Sequence, residues 1–247
     1  MSAKGINIVV LTGAGISAES GIPVFRSETG LWEQHRVEDV ATYDGFVRNK
    51  NLVHDFYNSM RQKLKNITPN AAHIALAKLE KEWDLGGVTI ITQNIDDLHE
   101  KANSSNVIHM HGELNNILCE YCGKVTDCDY DTSDNSDNSE CPVCSNKSLR
   151  PNIVWFGEVP YQMDEIEDIL NNVSIFISIG TSGNVYPAAG FARVAKANNA
   201  FNIEFNLSKT LQNTFFDKVV YGKASETIPE FVDNLLKHKD LSFLNSV

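Results

Sequence analysis

Two cysteine pairs constrain this chain more than any other feature. Cys119-x-x-Cys122 and Cys141-x-x-Cys144 are separated by 18 residues, the arrangement of a four-cysteine zinc site. Each pair occupies a tight turn in which two thiolates converge, and two such turns complete a tetrahedron. A redox dithiol or a set of core thiols is the plainer alternative. The polar surroundings count against it, because structural free cysteines sit in apolar cores. Four thiolates leave no open position, so the ion is expected to staple a segment too poor in apolar residues to fold alone. The chemistry is then expected elsewhere. Cys128 is left over and receives no role.

Around this insert, short runs rich in Ile, Val and Phe are bounded by turn residues: Ile6–Leu11, Val88–Thr92, Ile153–Phe156, Ile175–Ile179 and Phe201–Phe205. Continuous apolar runs of this length fit strands buried on both faces of a parallel sheet. Helical patterns separate them over Asn70–Trp83, Asp164–Leu170, Ala188–Ala197 and Pro229–Leu236. The alternation predicts a doubly wound, Rossmann-like α/β fold. Residues 45–64 read as a helix with no strand to serve, and 113–150 hold the cysteines and the polar run Asp127–Glu140. These two stretches are expected to form a smaller helical and zinc-binding module inserted into a main domain of 1–44, 65–112 and 151–247. The polar run reads as a solvated loop, without the ordered spacing of a calcium-binding EF-hand.

The 247 residues carry 21 basic and 32 acidic side chains, a net charge of −11. That field repels polyanions, so no nucleic acid partner is expected. No apolar run approaches the roughly 20 residues that cross a bilayer. The start, MSAKGINIVVLTGAG, lacks a small-residue cleavage site and reads as a first core strand, so a cytoplasmic protein with no membrane partner is expected. Five cysteines in such a chain suggest metal or catalysis before disulfides. Nothing fixes an oligomeric state, and a monomer is assumed.

After the first strand comes Thr12-Gly13-Ala14-Gly15-Ile16-Ser17. Glycines at a strand-to-helix turn let backbone N–H groups approach a pyrophosphate, although the spacing is not the usual G-x-G-x-x-G and an ordinary tight turn fits as well. The longer stretch from Gly13 through Ser20-Gly21-Ile22-Pro23-Val24-Phe25-Arg26 closely resembles the sirtuin signature. Thr92-Gln93-Asn94-Ile95-Asp96, His109-Met110-His111-Gly112, the four cysteines, Gly180-Thr181-Ser182 and Asn206 follow in the order that family uses. The resemblance runs from about residue 6 to 236.

It implies an NAD-dependent protein-lysine deacylase that cleaves the nicotinamide–ribose bond and transfers the acyl group to ADP-ribose. By resemblance His111, placed immediately before glycine, is the general base, with an imidazole pKa suited to neutral pH; His109 is the competing candidate. Gly13, Ala14, Gly15, Ser17, Trp32, Gln93, Asn94, Ile95 and Asp96 fall to the cofactor, with Phe25 and Arg26 on a shielding loop. Gly180, Thr181, Ser182, Asn206, Leu207, Ser208 and the backbone around Ala224 fall to its adenosine half. Val154, Phe156, Gly157 and Glu158 fall to the acyl-lysine protein substrate. Plainer readings stay open: Asn94 and Asp96 could cap a helix, and Thr181 and Ser182 could close a turn.

Within the family, the similarity is to the bacterial and mitochondrial branch that accepts acidic acyl groups such as succinyl. That branch carries Tyr-x-x-Arg on the helix lining the acyl pocket, where the arginine pairs a distal carboxylate. Here Tyr57 is followed by Met60 and then Arg61. Met60 makes the pocket apolar and adaptable. Arg61, shifted about 100° around the helix, is expected at the surface, though a swing into the pocket stays open. Deacetylation is expected, with desuccinylation weakened. A dehydrogenase would need a full G-x-G-x-x-G and an acidic residue about 20 positions on, and neither is evident. A mono-ADP-ribosyltransferase using the same site is the nearer alternative, and a non-catalytic zinc-ribbon module the non-enzyme one.

Overall fold

The computed structural model describes residues 5–23, 31–32, 35–128, 139–210 and 213–239. In chain order the strands are β1 (Ile8–Thr12), β2 (Leu31–Trp32), β3 (His35–Arg36), β4 (Val88–Thr92), β5 (Val107–His109), β6 (Gly112–Cys119), β7 (Val125–Asp127), β8 (Leu149–Ile153), β9 (Ile175–Ile179), β10 (Phe201–Asn206) and β11 (Lys218–Tyr221). The α-helices are α1 (Ala14–Ser17), α2 (Val37–Val40), α3 (Tyr43–Arg48), α4 (Lys50–Leu64), α5 (Ala71–Glu82), α6 (Leu98–Lys101), α7 (Met163–Asn171), α8 (Phe191–Ala197) and α9 (Ala224–His238).

Successive side chains of a strand point to opposite faces, and β1 uses both. Ile8 and Val10 pack into a core with Leu76 and Leu79 of α5 and Ile228 and Val232 of α9. Val9 and Leu11 pack into another with Ile166 of α7 and Phe191 and Ala195 of α8. Ile175, Ile177 and Ile179 of β9 join the first layer and Phe176 the second. Burial on both faces explains the unbroken apolar runs. The sheet order is β11-β10-β9-β1-β4-β5, and every pairing is parallel. The chain leaves β1 toward β4 on one side and returns to β9 on the other. A crevice therefore opens at the carboxyl ends of β1, β4 and β9, where such sheets bind ligands.

The apolar run Ile153–Phe156 does not join this sheet. Its first residue ends β8, which pairs antiparallel with β6 in a three-stranded sheet ordered β7-β6-β8. The run is apolar because Ile153 and Trp155 are buried among Val40, Phe46, Phe56 and Tyr57. Residues 45–64 are likewise not one helix. Asn49 leaves helical backbone and its side chain accepts from Leu52 N–H at 3.2 Å, which starts α4 anew. Helix α9 begins at Ala224, five residues before Pro229. No described helix is long and apolar enough to cross a membrane.

Candidate active site

A cavity of about 730 Å³ occupies the crevice. Gly13, Ala14, Gly15 and Ser17 reach it from the end of β1, and Gln93, Asn94, Ile95 and Asp96 from the end of β4. His111 follows β5, Gly180, Thr181 and Ser182 follow β9, and Asn206, Leu207 and Ser208 follow β10. Trp32, Tyr57, Met60, Val154, Phe156, Gly157 and Glu158 also line it. Ala224 and Arg61 are not part of it. Phe25 and Arg26 lie outside the described residues.

The two glycine N–H groups of the turn point into the fold. Gly13 N–H donates to Ile179 O at 3.0 Å and Gly15 N–H to Gly180 O at 2.9 Å, so both are spent inside the fold. A Cβ on Gly15 would stand 2.6 Å from Gly180 Cα. The glycines instead let the β1–α1 turn press against the end of β9 and leave the crevice open.

At the end of β4, Asn94 donates from Nδ2 to Gly13 O (3.2 Å) and to Ser17 Oγ (3.0 Å). Ser17 Oγ donates to Asp96 Oδ2 at 2.9 Å, and Asp96 Oδ1 accepts from Leu98 N–H at 3.2 Å. Asp96 thus receives the N–H of Leu98, the first residue of α6, with one oxygen and the Ser17 hydroxyl of the β1–α1 turn with the other. Burial pushes its carboxyl up to about 6, against the lowering effect of those two hydrogen bonds.

His111 Nδ1 lies 3.0 Å from Gln93 O. A carbonyl only accepts, so Nδ1 carries the proton and Nε2 keeps its lone pair. Burial lowers the imidazole pKa, and the Gln93 bond offsets only part of that. His109 is different: it is absent from the cavity wall and pairs with Glu100 Oε1 at 2.9 Å. Burial would lower its pKa, but Glu100 outweighs it and the value rises.

Arg61 departs from the surface position expected of it. It is 1% exposed, with Nε donating to Leu114 O (2.9 Å) and NH1 to Asn58 Oδ1 (2.7 Å). The one-residue shift turns it away from solvent and cavity alike, into the contact of α4 with β6. Met60 lines the cavity beside Tyr57, as does Lys63 one turn further on. Tyr57 accepts from Trp155 Nε1–H at 3.0 Å, and burial holds its phenol far above the ordinary range. It therefore retains a proton to donate.

On the β10 side, Asn206 Nδ2 donates to Thr181 O at 2.7 Å and Asn206 Oδ1 accepts from Leu207 N–H at 2.9 Å. Ser182 Oγ accepts from Asn184 N–H at 3.3 Å, closing a turn as the plainer reading supposed.

Away from the cavity, the sulfurs of Cys119, Cys122, Cys141 and Cys144 all lie within 4.8 Å of one another. Cys119 to Cys144 is 3.7 Å and Cys122 to Cys141 is 3.8 Å. Sulfurs about 2.3 Å from a tetrahedral ion would be separated by about 3.8 Å, so the group could hold a zinc ion. Cys128 packs into the apolar cluster beneath it with Ile117 and Leu149.

A family model described as the Sir2 family matches residues 13–187. The chain belongs to the Sir2 family. It is 52% identical over 243 residues to an NAD-dependent protein deacylase of Vibrio vulnificus, spanning 97% of this chain and 98% of that protein. It is also 52% identical to the NAD-dependent protein deacylase SIR2rp3 of Leishmania major, over 93% of this chain and 96% of that one. Among solved structures, a complex of a Sir2 homolog with NAD superposes with a TM-score of 0.85 at 36% identity, covering 96% of this chain and 92% of the other. A Sir2–p53 peptide–NAD+ complex gives 0.77 at 30% identity, covering 96% and 94%.

One residue that shapes this Sir2 cleft, Arg150, carries no sequence signal of its own. Arg150 is 5% exposed, grips both Glu158 oxygens (2.6 and 2.9 Å) and stacks 3.6 Å over the Trp155 ring. Glu158 also accepts from Trp155 N–H at 2.8 Å. Glu158 thus braces the segment Val154–Glu158 from within. The resemblance to the sirtuin substrate segment points to Val154–Glu158, but nothing singles out an isolated arginine in LRPNI.

Proposed function

We propose that this chain is an NAD-dependent protein-lysine deacylase whose base is His111. NAD would supply the ribose carbon that receives the acyl oxygen and the nicotinamide that leaves. The observation that carries the reading is the His111–Gln93 contact, which leaves an unprotonated Nε2 in the same cavity as the glycine turn and the Asn94–Asp96 network. His111 Nε2 takes the proton of a hydroxyl brought to it. Asn94 and Asp96 orient the nicotinamide end, and Thr181, Ser182, Asn206, Leu207 and Ser208 the adenosine end. The glycine turn leaves room for such a group because Gly13 and Gly15 let it press against the end of β9 and keep the crevice open.

Val154, Phe156 and Gly157 receive the substrate backbone, and the pouch lined by Tyr57, Met60 and Leu64 receives the acyl group. Such a pouch is needed for an acyl-lysine and has no use in mono-ADP-ribosyl transfer. Because Arg61 is tied to Leu114 O and Asn58, the pouch suits acetyl and short neutral acyl groups over succinyl. The zinc ion would be structural, held by Cys119, Cys122, Cys141 and Cys144 in a small module built from 45–64 and 113–150. A reducing, cytoplasmic setting suits these thiols.

The test is nicotinamide release from NAD with and without an acetyl-lysine peptide. Release that requires the peptide, with stoichiometric loss of its acetyl group, is expected. Peptide-independent release, or formation of NADH, would contradict the reading.

A further inference from the structure

Two histidines lie beneath the floor of the cleft without reaching it. His73 of α5 is 0% exposed and His99 of α6 is 1% exposed. Their ring centroids are 5.0 Å apart with planes at 62°. His99 Nε2 lies 3.1 Å from Thr12 Oγ1, and the Thr12 hydroxyl donates to Thr92 Oγ1 at 2.9 Å. The same Thr92 oxygen accepts Asn94 N–H at 3.0 Å. On the far side, Asn70 N–H donates to His73 Nδ1 at 3.4 Å, while Asn70 Nδ2 donates to Ile16 O (2.8 Å) and Ser20 Oγ (3.0 Å) of the glycine-turn segment.

Donor and acceptor roles follow from these contacts. Asn70 N–H can only donate, so His73 Nδ1 is bare and its ring proton is on Nε2. The Thr12 proton is committed to Thr92, so Thr12 Oγ1 accepts from His99 Nε2–H and His99 Nδ1 is bare. His73 Nε2 and His99 Nδ1 have no hydrogen-bond partner, so the two rings meet edge to face without a bond between them. Both rings are neutral: burial takes His73 down to about 4 and His99 well below its ordinary value. The protons of His99 Nε2–H and of the Thr12 hydroxyl point toward Thr92 Oγ1, which receives Asn94 N–H from the other side.

We propose that His99 is a positioning residue of the reaction, its Nε2–H locking the Thr12–Thr92 pair that fixes Asn94 at the nicotinamide end of the cleft. His73 packs against the His99 ring and, through Asn70, ties it to the Ile16–Ser20 segment on the opposite wall. The role rests on the deacylase reading, which places Asn94 against the cofactor.

The test compares His99→Leu, His99→Gln and His99→Asn, with Thr12→Val, in deacetylation of an acetyl-lysine peptide. Gln carries an N–H where His has Nε2–H, and Asn places its amide near Nδ1. His99→Leu and His99→Asn are expected to lose on the order of tenfold or more in kcat with an unchanged KM for the peptide, and His99→Gln to restore it. Thr12→Val should share the loss, and the double variant with His99→Leu should lose no more than either single one. If His99→Leu does not fold, the Gln and Asn variants decide. Equal kcat in His99→Gln and His99→Asn, or wild-type kcat in His99→Leu, would overturn the role alone. Absence of turnover in the wild type would overturn the deacylase reading with it. Long-range proton–nitrogen NMR of the wild type gives a readout independent of turnover: His99 should be protonated on Nε2 only, and a proton on Nδ1 would overturn the proposal.

Discussion

His111 Nδ1–H donates to the carbonyl of Gln93 at 3.0 Å, so the residue that follows β4 also sets the tautomer of this imidazole. Burial lowers the His111 pKa, so the base form persists below the ordinary value of 6.5. The acid limb of kcat/KM should therefore lie below pH 6.5, with little change above it until another group titrates. His111→Ala should cost at least about 10²-fold in kcat/KM. His109→Gln should retain the bulk of the rate, because His109 faces Glu100 and not the cavity. A pH–rate profile of the three proteins checks this.

Selectivity should follow Met60. Acetyl- and butyryl-lysine peptides should be processed well and succinyl-lysine poorly. Met60→Arg should raise succinyl turnover by roughly tenfold or more, the effect of one charge-assisted hydrogen bond. Arg61→Ala should leave the preference alone and lower Tm by roughly 10 °C, because Leu114 O and Asn58 would lose a buried partner. Succinyl removal as fast as acetyl removal, lost in Lys63→Ala, would contradict the apolar reading.

Zinc should act at a distance. Elemental analysis should find one ion per chain. Chelation or Cys141→Ser should lower Tm by roughly 10 °C, the shift that about 3–4 kcal/mol produces in a chain of this size. Activity should fall in step with the folded fraction, since the sulfurs line no part of the cavity.

Acid should destabilise the fold through His73. Burial takes its pKa from 6.5 down to about 4, so between these values the unfolded chain binds a proton that the folded one refuses. The stability it supports is intact above about pH 6.5 and declines as pH falls toward 4, by an amount approaching about 3 kcal/mol. Asp96 has the opposite sign: raised from 3.8 to about 6, it favours the fold below pH 3.8 and loses that contribution as pH rises through 6. The two must be separated by difference. His73→Asn, whose carbonyl can still accept from Asn70 N–H, should reduce the Tm loss between pH 6.5 and 4.5 relative to wild type.

What was legible in the sequence had a local cause. The apolar run of β1 announces burial on both faces, and the cysteine spacing announces two turns. The order of the glycine turn, the Asn94–Asp96 pair and His111 announces a cleft because these follow three neighbouring strands, β1, β4 and β5. What was not legible depended on contacts between distant residues. Nothing local to Arg61 tells that Leu114 O will receive it, and a one-residue offset on α4 changes its direction completely. Ile153–Phe156 looks like a sheet strand because burial against Phe46 and Tyr57 demands the same residues. The strands β5 and β11, of three and four residues, are too short for a periodic pattern. His99 and Thr12 are 87 residues apart, and neither announces the other.

In the proposed reaction this cleft moves an acyl group from lysine to the ribose of NAD. Mass spectrometry of the small-molecule products, using a peptide carrying an isotopically labelled acetyl-lysine, tests it most directly. The label should appear on ADP-ribose in equal amount to nicotinamide and free lysine, and none of it in the His111→Ala reaction. Label recovered as acetate from the first turnovers, or ADP-ribose attached to the peptide with its acetyl group intact, would contradict the account.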